Sequence, residues 1–151
     1  RTINQFAKIL DDIPIYGFDS FQGINEDWVG ADAPKGHFNL NSKVPKLRDN
    51  CIPVIGLIQD TLPLFLSDNQ NLQINFMHID TDTYPTAKFI LEQVKSHLLD
   101  QSIIVFDQLY DFEGWRVGEY RALTEVFTDD EYQFLAFSKD EGNVALRVNK
   151  L

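Results

Sequence analysis

The sequence predicts an α/β domain in which a mostly parallel sheet ends in an antiparallel hairpin. Three observations carry that prediction. Apolar runs of strand length alternate with segments of helical period along the chain. Two runs, Ile74–Ile79 and Ser102–Asp107, are nearly continuous in apolar residues and run out into carboxylates, as strands buried on both faces do. The last two runs, Tyr132–Ser138 and Asn143–Val148, read as two arms around Asp140-Glu141-Gly142, which is hairpin chemistry.

Thr2–Leu10 places Ile3, Phe6, Ile9 and Leu10 at the three-and-four spacing of a helix face. Ile13–Phe18 is a short strand ending at Asp19. Ser20–Asn50 is long, polar and interrupted by Gly23, Gly30, Pro34, Gly36 and Pro45, the signature of a functional loop. A short helix is expected within it near Ser42–Asp49. Cys51–Ile58 is the next strand, leading into Gln59-Asp60-Thr61, with Thr61 placed to cap a helix through Leu66. After the Ile74 strand, Pro85 suits a first helical turn, and the helix continues to Leu99 with Phe89, Ile90, Val94 and Leu98 inward. Glu119–Phe127 is the last helix, with Tyr120, Leu123, Val126 and Phe127 as its face.

A chain of 151 residues, 44% hydrophobic with 12 Phe, can bury one substantial core. Its formal charge of -10 repels nucleic-acid phosphates and anionic membrane surfaces, so neither is an expected partner. Cys51 is the single cysteine, so no internal disulfide forms, and a reducing cytoplasm fits. No apolar run approaches the roughly 20 residues of a membrane span, and no signal peptide is visible. Residue 1 is Arg, which reads as the start of a processed, cloned or incomplete segment.

In an open parallel α/β sheet, ligands bind beyond the carboxyl ends of the strands. If the Ile74 and Ser102 strands are neighbours, about 4.8 Å apart, Asp80 and Asp107 converge there. Two bare carboxylates at that spacing repel, so one holds a proton or a cation lies between them. The expected cation is a hard divalent one on oxygen ligands. Asp80 and Asp82 are two residues apart, which points both side chains to one side of extended backbone. A solvated strand exit is the plainer reading of the same residues.

Six pieces follow in one order: YGFDSFQG (Tyr16–Gly23), PKGHF (Pro34–Phe38), QDTLPLFL (Gln59–Leu66), HIDTDTYPT (His78–Thr86), IIVFDQ (Ile103–Gln108) and GWRVGEYRA (Gly114–Ala122). Together they resemble the macrocin O-methyltransferase family, from about residue 2 to about residue 148. The resemblance implies a Rossmann-like methyltransferase sheet, S-adenosylmethionine and Mg²⁺ as cofactors, and methylation of a hydroxyl on a sugar or glycosylated small molecule. It assigns Asp80, Asp107 and Gln108 to the metal and Asp82 to general base. It gives Asp19 and Ser20 to the cofactor ribose; a turn-capping Asp is the alternative for Asp19. Asp60 would lie near the adenine, or simply start a helix.

Two departures accompany the resemblance. The family's first strand and Gly-rich cofactor turn find no counterpart within the chain. Residues 1–151 therefore read as a single, N-terminally incomplete class I methyltransferase domain. Gln108 stands where the family carries a second acid, which predicts weaker metal affinity. A sheet without its central strand must close up or be covered by a second copy, so a homo-oligomer is expected. A non-catalytic remnant with weak or no cofactor binding is the main alternative. A metal-dependent hydrolase is a more remote one, since few His residues accompany the acids.

Overall fold

The structure is a computed structural model that describes residues 2–139 and 142–149. Its elements follow the alternation in the sequence: α1 (Thr2–Ile9), β1 (Ile15–Asp19), β2 (Cys51–Ile55), α2 (Ile58–Asp68), β3 (Ile74–Ile79), α3 (Tyr84–Val94), β4 (Leu98–Phe106), α4 (Glu119–Val126), β5 (Tyr132–Phe137) and β6 (Val144–Val148). Single 3-10 turns at Lys95–His97 and Trp115–Val117 punctuate the connections.

β1 and β2 pair in parallel, from Ile15 opposite Cys51 to Asp19 opposite Ile55. β3 and β4 form a second parallel pair, with Met77 opposite Ile104 and Ile79 opposite Phe106. β6 runs against both its neighbours, β4 and β5, giving the order β3-β4-β6-β5. The expected antiparallel arms at the C-terminal end are therefore β5 and β6; residues 140 and 141, between them in sequence, lie outside the described residues.

The core sits between this sheet and α3 with α4. Ile79, Leu91, Ile104, Phe106, Leu123 and Leu146 are each at most 2% exposed. Each such side chain stabilises the fold by about 1.5–3 kcal/mol relative to full exposure. A second cluster ties the two sheets together: Leu62 and Leu66 of α2 meet Ile90 and Val94 of α3, with Phe18 of β1 and Met77 of β3 against them. The period of two along β3 explains its other face. Phe76 and His78 point away from Met77 and Ile79, and both meet Phe6 of α1, with ring centroids 5.0 and 5.3 Å away. Ile3 of α1 lies over Gly17 of β1, where a Cβ would collide with its Cδ1. Helices thus lie on both faces of the β1–β3 region, yet among the described residues no ladder joins β1 to β3. The expected closing-up of the strands is not seen.

Four local expectations are corrected. α3 ends at Val94 rather than Leu99; a 3-10 turn at Lys95–His97 follows it, and Leu98, expected on the inward face of the helix, opens β4. Residues 42–49 are not helical. Pro45 has no N–H to give to a helix and disfavours helical backbone before it. The segment's backbone is held instead by Asn4, whose side chain donates to the Lys46 carbonyl at 3.0 Å and accepts from Arg48 N–H at 3.0 Å. β2 stops at Ile55 rather than Ile58, because Gly56 turns the chain at φ +142°. α2 then begins at Ile58, and Thr61 lies inside it, its hydroxyl donating to the Leu57 carbonyl at 3.0 Å rather than capping the helix. No described helix is long and apolar enough to cross a membrane.

Candidate active site

The carboxyl ends of β1 and β3 open onto one cavity of about 380 Å³. Asp19, Ser20, Asp80, Asp82 and Gln108 all line it. Register explains the convergence. The β3–β4 ladder continues one bond past its last pair, from Asp107 N–H to the Ile79 carbonyl at 2.9 Å, so Asp80 and Asp107 leave their strands side by side. On the other sheet, Gly56 N–H donates to the Asp19 carbonyl at 3.1 Å and brings the Gly56–Ile58 turn to the same cavity.

Asp107 does not itself line the cavity. Its Oδ1 accepts from Asn143 Nδ2 at 3.1 Å and lies 3.6 Å from His78 Nε2. Asn143 also donates to the Asp107 carbonyl, at 2.5 Å. His78 of β3 and Asn143, just before β6, therefore hold this carboxylate between them. Asp19 has a local partner too: its Oδ1 accepts from Phe21 N–H at 2.8 Å, and Ser20 Oγ accepts from Gln22 N–H at 3.2 Å. The turn-capping reading of Asp19 is thus satisfied by one oxygen, while the residue stands at the cavity. Asp60 is the outlier among the expected residues. It is an exposed first-turn acid of α2, outside the cavity lining, where Leu57 and Ile58 stand instead.

The acids shape one another's protonation. Burial pushes the Asp82 carboxyl up to about 7, with the Asp80 and Asp107 charges adding to the rise. Asp80 is also raised, first by surrounding protein and then by Asp107, while His78 opposes the shift. Asp80 keeps solvent contact, so water screens part of this effect. Backbone strain marks the same place. Thr83 N–H donates to the Thr81 carbonyl at 2.6 Å, closing a three-residue turn centred on Asp82 at φ +62°. Such tight turns with positive φ are rare for residues other than Gly and gather at functional sites.

Among the described residues, Gln108 Oε1 and Trp28 Nε1 of the lining are buried without a hydrogen-bond partner, and so is Glu119 Oε2 outside it. Gln108 and Asp80 both line the cavity, whereas Asp107 does not; an amide and a carboxylate oxygen are donor types that a hard divalent cation takes, with waters at its other positions. No three His, Cys, Asp or Glu side chains among the described residues are grouped to hold an ion without such help.

Sequence reasoning missed Asn143 and the His78 contact. Glu119 stands in the Gly114–Ala122 piece that carries the resemblance; its plainer reading, a first-turn acid facing the helix dipole, points to solvent rather than the burial seen. The long loop supplies Trp28 and Phe38 to the lining, and Trp28 packs edge-on to Phe112 at 5.7 Å. His37 is exposed and stacks edge-on to Phe38 at 4.3 Å.

No family model matches the chain. No curated protein matches it either. Solved structures do. The chain is similar to CalS11, a calicheamicin methyltransferase, at 26% identity and a TM-score of 0.72, over 89% of this chain and 60% of that one. A second CalS11 structure, described as the apo form of a TDP-rhamnose 3'-O-methyltransferase, matches at 24% identity and a TM-score of 0.63, over 89% and 57%. An O-methyltransferase from Bacillus cereus in complex with SAH matches at 14% identity and a TM-score of 0.56, over 98% and 79%. The chain thus spans about 60% of the length of the CalS11 chain and has the Rossmann-like fold of sugar O-methyltransferase structures, with mixed parallel and antiparallel sheets.

Proposed function

We propose that the chain is part of a class I methyltransferase domain that transfers a methyl group from S-adenosylmethionine to a hydroxyl of a sugar or glycosylated small molecule, with Mg²⁺ assisting, as in the macrocin O-methyltransferase family. The observation that carries this reading is the convergence of Asp19, Ser20, Asp80, Asp82 and Gln108 on one cavity at the strand ends. The likeness to CalS11 supports the reaction class, and its sugar-nucleotide description supports the acceptor class.

An alcohol is a weak nucleophile until its proton leaves, and Asp82 is the group set to accept that proton. Its affinity for protons, near 7, matches the working pH of an efficient general base. The strained turn aims it into the cavity. Asp19, with Ser20 beside it, would accept the ribose hydroxyls of the cofactor. Asp80, Asp107 and Gln108 would hold Mg²⁺. When bound, the cation lowers the pKa of an acceptor hydroxyl, and the sulfonium supplies a methyl group with a neutral thioether as its leaving group. Holding hydroxyl oxygen, methyl carbon and sulfur in line is then the main remaining task of the protein. Asp60, exposed on α2, keeps only a peripheral role toward the adenine in this reading.

A non-catalytic remnant is the second reading. The unjoined edges of β1 and β3 favour it, since they leave the cavity without a continuous sheet beneath. The same edges favour pairing with a second copy of the chain. Both readings allow a cytoplasmic protein. Calorimetry with S-adenosylhomocysteine separates them. Submicromolar binding supports the enzyme, and no binding at millimolar ligand supports the remnant.

A further inference from the structure

Glu119 is 2% exposed, and methyl transfer as set out above gives it no task. Reaching from the first turn of α4, its Oε1 accepts from Thr81 N–H at 3.1 Å and from the Thr81 hydroxyl at 3.2 Å. Its Oε2 has no partner. Thr81 is the first residue of the tight turn whose middle residue is Asp82, at φ +62°.

An ordinary first-turn acid faces water and interacts with the helix dipole. A residue present only to fill core space would be apolar, because burying a carboxyl is costly unless it is hydrogen-bonded. Glu119 does neither. Both of its side-chain hydrogen bonds go to one residue, and that residue opens the strained turn on which Asp82 stands. Asp82 in an unrestrained chain prefers negative φ. The Thr83-to-Thr81 bond alone fixes the turn from within, whereas Glu119 fixes it from a separate element.

We propose that Glu119 is a positioning residue: by clamping the Thr81 N–H and hydroxyl from α4, it holds the 81–83 turn and so aims Asp82 into the cavity. The consequence for catalysis rests on Asp82 acting as the base; the clamp itself does not. Gln at position 119 keeps the accepting oxygen and the shape. Met keeps the volume and removes the acceptor.

The test compares E119Q and E119M by amide hydrogen exchange at Thr81, by thermal melting, and by methyl-transfer kinetics on a sugar-nucleotide acceptor. In E119M the Thr81 amide is expected to exchange at least about tenfold faster, while amides of β4 and β6 keep their protection. The kcat is expected to fall about 100-fold, the scale of a misplaced catalytic group, with acceptor KM changed less than about threefold. E119Q is expected to restore both readouts to within about threefold of wild type. Wild-type exchange at Thr81 in a folded E119M overturns the proposal, as does an E119Q as impaired as E119M. If E119M does not fold, Thr81→Val removes one of the two bonds, and unchanged exchange at residue 81 then overturns the proposal. If the wild-type chain transfers no methyl group, the functional reading fails, while the exchange comparison still decides the clamp.

Discussion

Asp80 and Asp107 follow directly on Ile79 and Phe106, which face each other in the parallel β3–β4 ladder, and the Asp107 N–H bonds to the Ile79 carbonyl at 2.9 Å. The pairing of two apolar strands thereby fixes the spacing of two charges. Burial pushes Asp82, two residues on, up to about 7, and the Asp80 and Asp107 charges add to the rise. The site's chemistry follows from that burial and crowding together.

Asp82→Asn removes a proton acceptor and leaves the shape of the turn intact. Methyl transfer is expected to fall by about 10²–10⁴-fold, the usual contribution of a general base. Affinity for S-adenosylhomocysteine, measured by calorimetry, is expected to stay within about threefold, since no reaction occurs in that complex. Retained turnover in the variant rules Asp82 out as the base.

Stability without divalent metal depends on pH in a direction the acids set. Asp82 and Glu119 have folded values of about 7 and about 8, both raised above their unfolded values. Between about pH 4 and those values the folded chain holds protons that the unfolded chain has lost. Stability from these groups is complete below their unfolded pKa and is lost as pH rises through 7 and 8. The surface acids Glu125, Asp130 and Glu131 are lowered by their hydrogen-bonding partners, so they act only on the acid side of this window. The melting temperature in EDTA is therefore expected to fall from pH 5 to pH 8, and less steeply in E119Q. A flat or rising profile contradicts the assignment.

Two glycines separate conformational strain from collision. Gly30 and Gly36 have φ of +85° and +84°. A Cβ at Gly36 meets nothing within 4 Å, whereas one at Gly30 strikes the carbonyl of Glu113 on the facing loop. Gly114 reciprocates, since its Cβ would lie 2.8 Å from the Val29 carbonyl. Gly36→Ala is expected to cost about 1–2 kcal/mol, the left-handed penalty alone. Gly30→Ala adds a backbone collision of about 1–3 kcal/mol. Denaturant melts of the two variants measure the difference, and equal losses contradict the loop contact.

Asn143→Ala deletes the side chain that holds both the carbonyl and the Oδ1 of Asp107. If Asp107 is a metal ligand, freeing it is expected to weaken Mg²⁺ binding about 10–100-fold, as loss of an outer-shell partner does. The Mg²⁺ concentration for half-maximal protection against thermal melting reports this. An unchanged midpoint argues that Asp107 is not a ligand.

How far the sequence could be read depended on the range of the forces involved. The β3 and β4 strands announced themselves because buried strands need continuous apolar residues, and their end carboxylates came with them. The expected helix at residues 42–49 failed because Asn4, some forty residues earlier, claims that backbone. The inward turn of Glu119 was unreadable for a similar reason. Its burial depends on α4 docking beside Thr81, and nothing in its neighbours marks an acid that turns inward. Of the two readings of Asp60, the helix start is the one seen, because Gly56 ends β2 early and α2 begins at Ile58.

Incorporation of labelled methyl from S-adenosylmethionine into a deoxysugar nucleotide, with Mg²⁺ and then with EDTA, tests the central claim most directly. The assay uses wild type and Asp80→Asn side by side, each with any residues its gene encodes before Arg1. The account predicts transfer by wild type in Mg²⁺, and loss of that transfer both in EDTA and in Asp80→Asn. Turnover that is indifferent to EDTA and to the substitution would contradict it.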